Sequence, residues 1–203
     1  MQMIIGITGT NAAGKGETAN ILKRLGYRYY SLSDMIREEA ASRKEEPNRD
    51  NLIRIGNEFR LKFGEDIWGK KLAEKLKHEE HDKIVVDSIR HPLEIKELKK
   101  ALDVKKQEDA SHKSDSTIRF ILLSIDAPLE LRFQRALKRA RPGDPKTGAD
   151  FDDFKKKEEL EKTSAKNVQQ LSEAMKLADF HILNTGTLKK LEENVLDILN
   201  KLN

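Results

Sequence analysis

The sequence of 203 residues contains no cysteine, which excludes disulfide bonds and thiolate metal sites. No apolar run approaches the roughly 20 residues that a membrane-spanning helix needs. The first residues enter a strand-like pattern at once, so we expect no signal peptide. Charges of both signs nearly balance, with a formal net charge of +4, and they give no reason to expect a stable nucleic-acid complex. We therefore expect a soluble cytoplasmic protein without a membrane partner.

Short apolar runs alternate along the chain with longer segments in which apolar residues recur every three or four positions. This alternation is typical of α/β proteins with a buried parallel sheet, and the length suits one domain over residues 1–203. The runs predict five strands with the sequences MIIGIT, YRYYSL, KIVVDS, TIRFILLSID and DFHILN.

Three segments depart from simple alternation. Residues 34–82 have an almost wholly helical pattern and are too long for an ordinary crossover, so they predict a helical subdomain over one end of the sheet. Residues 103–116 lack apolar periodicity and predict an exposed loop. Residues 141–153 contain two prolines and two glycines and predict a second loop.

The segment GTNAAGKGET follows the first predicted strand and precedes a predicted helix. It fits the spacing G-x-x-x-x-G-K in the context that this phosphate-binding motif requires. Backbone N–H groups of such a turn and the positive end of the following helix attract phosphates, and a lysine can reach the outer ones. The residues predicted to bind the nucleotide here are Gly9, Asn11, Ala12, Ala13, Gly14, Lys15, Gly16, Glu17 and Thr18.

Gly16, in the place where most such motifs have Ser or Thr, gives the segment a resemblance to adenylate kinase and related nucleoside monophosphate kinases. In that family a threonine comes next, whereas here Glu17 intervenes before Thr18. The resemblance implies a P-loop NTPase three-layer fold, with ATP and Mg²⁺ as cofactors. Because a carboxylate beside a polyphosphate is unfavourable, Glu17 also leaves open a nucleotide-binding regulatory module that transfers nothing.

The segment YSLSDMIREEA resembles the stretch in which the second strand of adenylate kinase runs into Ser-Thr-Gly-Asp-Met-Leu-Arg. The resemblance implies that Ser33, Asp34 and Arg37 bind the acceptor, with Arg37 on its phosphate. Serine and aspartate are also common helix caps, and an arginine here could be a solvated helix residue. Asp34 further resembles the aspartate that follows the second strand of dephospho-CoA kinases, where it would take a proton from a ribose hydroxyl.

The segment IVVDSIRHP resembles the Asp-Gly-x-Pro-Arg segment of nucleoside monophosphate kinases, shortened by one residue. The resemblance implies that Asp87 holds Mg²⁺ directly or through water and that Arg90 contacts the acceptor or transferred phosphate. The alternative is a turn-capping aspartate followed by a surface arginine.

Earlier in the chain, the segment LIRIGNEFRLKFGEDIWGKKLAEKL resembles the substrate-binding helices of phage-type deoxynucleoside monophosphate kinases. This resemblance places Asn57 and Arg60 at the acceptor. Trp68 could stack on a base, although its helical spacing favours packing in the subdomain core.

Arg132, Arg135 and Arg139 share one face of a predicted helix, because they are spaced by three and four residues. Arg141 follows at the entrance to the second predicted loop. The kinase family carries arginines in its lid, and the resemblance assigns the lid to residues 140–155. A solvated basic helix face is the alternative.

The segment ADFHILNTGTLKKL resembles the end of dephospho-CoA kinases, where a strand is followed by Asn-x-Gly-x-Leu and a helix. That turn borders the adenine of ATP in the family, which makes Asn184 and Gly186 candidate nucleotide-binding residues. Thr187 is also placed to cap the following helix, and this role does not exclude nucleotide binding.

Together these resemblances imply an enzyme that transfers the γ-phosphoryl group from ATP–Mg²⁺ to a (deoxy)nucleoside monophosphate. A dephospho-CoA kinase-like enzyme, acting on a ribose hydroxyl, is the second possibility. We expect a monomer or homodimer. The predicted nucleotide-binding residues beyond the loop are Arg135, Arg139, Arg141, Asn184 and Gly186. The predicted acceptor-binding residues are Ser33, Asp34, Arg37, Asn57, Arg60, Asp87 and Arg90. The predicted catalytic residues are Lys15, Asp34, Arg90, Arg135 and Arg139.

Overall fold

The computed structural model describes residues 2–111, 118–161 and 169–202 and has an α/β architecture. The strands are β1 (Gln2–Gly9), β2 (Arg28–Ser31), β3 (Lys83–Ile89), β4 (Ile118–Asp126) and β5 (Phe180–Leu183). The helices are α1 (Lys15–Arg24), α2 (Leu32–Ser42), α3 (Arg49–Phe63), α4 (Ile67–Leu76), α5 (Pro92–Ser111), α6 (Leu129–Arg139), α7 (Phe151–Glu161), α8 (Leu171–Lys176) and α9 (Leu188–Leu202). Within these ranges, no helix is both long and apolar enough to cross a bilayer.

The five predicted strands are confirmed and form one parallel sheet in the order β2-β3-β1-β4-β5. Every residue of the central strand β1 is buried, as expected for a parallel sheet covered on both faces. Because all strands run in the same direction, their carboxyl ends meet at one edge. The chain continues from β1 towards β2 on one side of the sheet and from β4 towards β5 on the other, and α/β proteins bind ligands in the crevice at such a switch point.

Successive residues of β1 enter opposite cores because strand side chains alternate between the two faces. Ile5 and Ile7 join a cluster with residues of α1 and α9, whereas Ile4 joins a second cluster with residues of α2, α4 and α5. A smaller cluster joins Phe133 of α6 to Phe154 of α7. The sheet is therefore covered by helices on both faces, and α6 and α7 form a separate packed unit.

The segment 34–82 is mostly helical, as its pattern predicts, and contains α3, α4 and most of α2. Trp68 of α4 is only 1% exposed, and its indole Nε1 donates to the carbonyl oxygen of Gly56 at 3.2 Å. Its ring stacks on Phe59 with centroids 4.8 Å apart. Trp68 thus belongs to the buried cluster shared by these helices and the sheet, and the structure does not support base stacking by this side chain.

Both loop predictions were too long. The α5 helix continues to Ser111, so residues 103–111 are helical, and residues 112–116 lie outside the described residues. Charged and polar helix formers can extend a helix without an apolar stripe. In the segment 141–153, a 3₁₀ turn begins at Gly148 and α7 begins at Phe151. This helical stretch begins with a reciprocal cap between Thr147 and Asp150. The glycines, prolines and acidic residues of the segment led to the prediction of a loop instead.

We expect Trp68→Ala to lower the free energy of unfolding by about 3–5 kcal/mol, because it removes a large buried side chain and its indole hydrogen bond. Phe63→Ala is the matched control on the neighbouring helix, since that ring is 48% exposed and its loss should change stability by less than about 1 kcal/mol. Urea denaturation followed by circular dichroism measures both values. Equal losses for the two variants would contradict the assignment of Trp68 to the core.

Candidate nucleotide-binding site

A cavity of about 1070 Å³ opens at the carboxyl edge of the sheet. It is lined by the phosphate loop between β1 and α1, the start of α2, the end of β3, one face of α6 and the turn before α9. The predicted nucleotide and acceptor segments, which are far apart in the sequence, therefore face one cleft.

The backbone conformation of the phosphate loop explains why glycine occurs at two of its positions. Gly9 has φ 139°, and a Cβ there would lie 1.9 Å from the carbonyl oxygen of Ile125, so only glycine fits. Gly14 has φ 116° and precedes α1 without a side-chain cap. Because no side chain caps this helix start, its N–H groups are suited to an anion.

The side chains of Lys15 and Asn184 donate to carbonyl oxygens of the loop. The Lys15 Nζ donates to the carbonyls of Gly9 at 2.9 Å and Thr10 at 2.7 Å. On the other side, Asn184 Nδ2 donates to Ala13 O at 2.8 Å. Asn184 is 6% exposed, so its amide braces the loop as well as lining the cavity, a role that the family resemblance did not suggest.

Asp87 lies beside the loop at an irregularity in the sheet. The pairing of β1 with β3 shifts register between Gly6 and Thr8, and Ser88 takes a left-handed φ of 66°, a conformation that bulky residues avoid. The Ser88 N–H donates to Asp87 Oδ1 at 2.6 Å, and the Tyr29 hydroxyl lies 3.4 Å from Oδ2. The bulge thus turns this carboxylate into the cleft.

Burial raises the pKa of the Asp87 carboxyl, while the Lys15 cation, the Ser88 amide and Arg90 act in the opposite direction. Within the described residues, no group of three or more His, Cys, Asp and Glu side chains could hold a metal ion. One carboxylate beside a phosphate loop nevertheless fits Mg²⁺, which is usually bound through one or two carboxylates together with substrate phosphates and water. The residues therefore suit a cation that arrives with a nucleotide.

The three predicted acceptor residues of α2 lie together at the cleft. Arg37 Nη1 donates to Ser33 Oγ at 2.6 Å and contacts Asp34 Oδ1 at 3.3 Å. The cap of this helix is Ser31, whose hydroxyl accepts from the Asp34 N–H at 3.3 Å. The side chains of Ser33 and Asp34 are therefore not used as caps, and the Asp34 side chain stays about half exposed at the cavity wall.

Arg60 lines the cavity but is 2% exposed and already paired. Its Nη2 donates to Glu94 Oε1 at 2.6 Å. The second oxygen of Glu94 accepts from the backbone N–H groups of Arg90 and His91, so Arg60 fixes the turn that carries Arg90. Asn57 accepts from Arg60 Nη1 at 3.3 Å but is not among the cavity-lining residues. Glu94 was missed because nothing in the local pattern pairs it with a residue 34 positions away.

The arginines of α6 divide into one structural residue and two that face the cleft. Arg132 is 2% exposed and forms an ion pair with Glu158. Arg135 Nη1 lies 3.3 Å from Ala13 O, and its Nη2 lies 3.5 Å from Gly186 O. Arg135 therefore spans the phosphate loop and the turn before α9.

Arg139, which follows Arg135 by four residues on the same helix, also faces the phosphate loop. It binds Asp144 through two bonds of 2.8 and 2.5 Å and reaches Asn11 Oδ1 at 3.1 Å. Burial alone would raise the pKa of Asp144, but the bonds from Arg139 and from the Arg141 N–H outweigh it and lower that pKa. Arg141 itself is exposed at the rim of the cavity.

The turn after β5 forms a further part of the cavity wall. The Asn184 N–H donates to Asp126 O at 2.7 Å, and Thr187 Oγ1 accepts from the Lys190 N–H at 3.3 Å. Thr187 thus makes the capping contact, while it and Gly186 both line the cavity.

Cationic side chains outnumber acidic ones along the cleft, ten to four among the described residues that line it. The acids are Glu17, Asp34, Asp87 and Asp144. The cations are Lys15, Lys23, Arg37, Arg49, Arg60, Arg90, Arg135, Lys138, Arg139 and Arg141. Such a surface attracts polyanionic small molecules.

Comparison with known sequences identifies a matching family model and several related proteins. A family model described as "AAA domain" matches residues 8–152. The UPF0200 protein of Pyrococcus abyssi is 32% identical over 202 residues, which cover 98% of this chain and 97% of that protein. The UPF0200/UPF0201 protein of Archaeoglobus fulgidus is also 32% identical, over 98% of this chain, but this chain spans only 55% of its length.

Two solved structures share the fold. The shikimate kinase of Bacteroides thetaiotaomicron has a TM-score of 0.53 and 12% identity, with 98% of each chain covered. The shikimate kinase of Acinetobacter baumannii, in complex with shikimate, has a TM-score of 0.50 and 15% identity, with 100% of this chain and 95% of that chain covered. At these identities the likeness shows the fold alone, which is that of P-loop kinases.

We expect Asp87→Asn to stabilise the ligand-free protein at pH 7 by roughly 0.5–2 kcal/mol. The pKa of Asp87 is raised on folding, so its ionisation opposes folding, and this penalty grows as the pH rises from the ordinary pKa of 3.8 through the folded value. The gain should therefore shrink towards pH 4, as measured by urea denaturation across a pH series.

Asp126→Asn is the matched control at the end of β4, where the Asp126 Oδ1 accepts from Thr10 Oγ1 at 2.6 Å and the Ala127 N–H at 2.9 Å. Replacing this oxygen acceptor by an amide would disturb both hydrogen bonds, so this variant should gain no stability. An Asp87 variant that is less stable than the wild type at pH 7 would show that the carboxylate is stabilising where it lies.

Proposed function

We propose that this chain, which belongs to the UPF0200 family of P-loop proteins, is a kinase that transfers the γ-phosphoryl group of ATP to a (deoxy)nucleoside monophosphate. The observation that carries the proposal is the distribution of cations on both sides of Lys15. Arg135 and Arg139 lie on the α6 side, whereas Arg37 and Arg90 lie on the side of α2 and β3. Two separate cationic groups suit two phosphate-bearing ligands that meet at the loop.

Transfer between two phosphates needs positioning and charge neutralisation more than proton chemistry. In this proposal Lys15, Arg135 and Arg139 stabilise the charge on the transferred group, while Arg37 and Arg90 orient the acceptor phosphate. An acceptor phosphate oxygen is already ionised at neutral pH and requires no general base. Mg²⁺ bound with ATP would neutralise charge on the β- and γ-oxygens, and Asp87 is the residue that would hold it.

The helical segment 34–82 would act as the acceptor subdomain, and residues 140–155 as the lid. The start of α2 and part of α3 line the acceptor side of the cavity, where Leu52 and Ile53 supply apolar surface for a nucleoside. Arg141 and Asp144 line the lid side. Closure of such a lid would exclude water from the transferred phosphoryl group.

A hydroxyl acceptor, as in dephospho-CoA kinases, is a second candidate. The observation that favours it is the half-exposed carboxylate of Asp34 in the cavity wall, since a hydroxyl nucleophile needs a base within reach. A regulatory module that binds ATP without transfer is the third, because the exposed Glu17 lines the cavity in the first turn of α1. Release of ADP with and without a panel of acceptors separates these three functions.

We expect Lys15→Ala to lower kcat on the order of 10²-fold or more while leaving the fold intact, because its ammonium stabilises charge that develops on the transferred phosphoryl group. The control is Lys70→Ala, which removes an exposed lysine paired with Asp66 on α4. A coupled assay for ADP measures turnover, and circular dichroism checks folding. Near-normal turnover by folded Lys15→Ala would rule out the kinase proposal.

Asp34→Asn distinguishes the two acceptor chemistries. With a monophosphate acceptor we expect about a tenfold loss of kcat or less, since no base is required. With a hydroxyl acceptor the loss should reach the roughly 10²–10⁴-fold typical of a missing general base. Glu39→Gln is the control on the same helix, where the carboxylate pairs with Arg43 outside the cavity lining. A large drop in kcat at constant KM would favour the hydroxyl acceptor.

A further inference from the structure

One buried amide, that of Gln169, lines the cleft without a role in the function proposed above. Gln169 lies between α7 and α8, is 5% exposed and belongs to the wall of the cavity. A primary amide carries two N–H donors and one oxygen acceptor, and such groups normally find hydrogen-bond partners when they are buried. The partners of this amide therefore indicate what the cavity wall presents to a ligand.

The backbone around Gln169 is held against the turn after β3. The N–H of the next residue, Gln170, donates to the carbonyl oxygen of Arg90 at 3.1 Å. The helix α8 follows, and its residue Ala174 is fully buried in the core cluster that contains residues of α2, α4 and α5. Gln169 is thus kept beside Arg90 by main-chain and core contacts that do not depend on its own side chain.

The side chain of Gln169 has a defined orientation as well. Its Oε1 accepts from Arg90 Nη1 at 3.0 Å. Because a guanidinium only donates hydrogen bonds, the oxygen of the amide and not its nitrogen must face Arg90. Nε2 therefore takes the other branch of the amide, and within the described ranges this nitrogen donates to no group of the protein. The amide thus keeps its N–H donors for a ligand in the cavity.

The groups connected to this amide favour an anionic ligand. Arg90 and Arg60 both line the cavity, whereas Glu94, which joins them, is fully buried and is not part of the lining. Both oxygens of Glu94 are already used, by Arg60 Nη2 and by the backbone N–H groups of Arg90 and His91. The network that runs from Gln169 through Arg90 and Glu94 to Arg60 therefore presents donors to the cleft and keeps its carboxylate behind them.

We propose, resting on the phosphoryl transfer proposed above, that Gln169 is a further residue that binds the acceptor phosphate, with its Nε2 donating to one of the phosphate oxygens. The bond from Arg90 to Oε1 turns the amide so that its N–H donors lie beside the guanidinium that orients this phosphate. A hydrogen bond to a charged oxygen is stronger than one between neutral groups. Because the amide is neutral, it adds a directional contact without adding charge to a cleft already rich in cations.

Acceptor kinetics of Gln169→Met and Gln169→Glu test this contact. Gln169→Met removes the N–H donors, so we expect the acceptor KM to rise about tenfold. Gln169→Glu keeps an oxygen for Arg90 but turns a second, charged oxygen towards the phosphate, so the acceptor KM should rise on the order of 10²-fold. For both variants kcat and the ATP KM should change by less than about threefold. An unchanged acceptor KM in folded Gln169→Met would overturn the proposal.

The order of the two variants separates phosphate binding from simple support of Arg90. If Gln169 acted only by holding Arg90, the carboxylate of Gln169→Glu would strengthen that contact, and Gln169→Met would be the more damaging change. The proposed contact requires the reverse order, and a larger KM increase for Gln169→Met would overturn it. Gln134→Glu is the matched control, because it makes the same change of charge at an exposed position of α6 outside the cavity lining. It should leave both KM values unchanged, and circular dichroism checks the folding of all three variants.

A binding measurement separates this inference from the proposed function. Inorganic phosphate is titrated calorimetrically into protein saturated with Mg²⁺ and a non-hydrolysable ATP analogue, so that the phosphate loop is already filled. Gln169→Met should weaken phosphate binding about tenfold relative to the wild type and Gln134→Glu, and Gln169→Glu should weaken it further. Equal affinities, or no phosphate binding by the wild type, would overturn the role of Gln169. A wild type that transfers no phosphoryl group but shows the expected differences would contradict the proposed function and support this site.

Discussion

The conformation of the phosphate loop is the constraint on which the rest of the site depends. Its carbonyl oxygens are held by donors from three directions: Lys15 from within the motif, Arg132 and Arg135 from α6, and Asn184 from the end of β5. These bonds hold a backbone that contains residues with left-handed φ angles and that would otherwise adopt many other conformations. The protein's own hydrogen bonds therefore hold the loop in a conformation whose N–H groups are suited to an anion.

Buried charge has opposite effects on stability and on the proposed activity in this cleft. Asp87 is buried beside a bulge and a left-handed Ser88; burial raises the pKa of its carboxyl, and the proposed activity needs that carboxylate in the cleft. Arg139 is placed by Asp144, and Arg60 by Glu94. Arg139 and Arg60 are thus each held by an acid, which keeps these two cations ordered although the cations of the cleft repel one another.

Two acids connect parts of the chain that the proposed reaction must bring together. Glu94 joins Arg60 of α3 to the turn carrying Arg90, and Glu158 joins α3 to α6. A sequence with 36% charged residues can place most of them in water, but these few lie in the interior and define how α3, α6 and α7 fit together with the turn after β3. The fold therefore uses ion pairs as specific links between its parts.

The sequence alone determined the five strands, the helical character of most of 34–82 and the phosphate loop, because each depends on local periodicity or on backbone conformations that only certain residues adopt. It also grouped the arginines of α6 on one face. Only the tertiary structure decided what those side chains do. Arg132 is structural because Glu158 reaches it from another helix, and Arg60 of α3 is paired because α5 places Glu94 beside it. Asn184 braces a loop 171 residues earlier in the chain. Such partners are brought together by the packing of the sheet and its helices, and no local pattern records which residue will meet which.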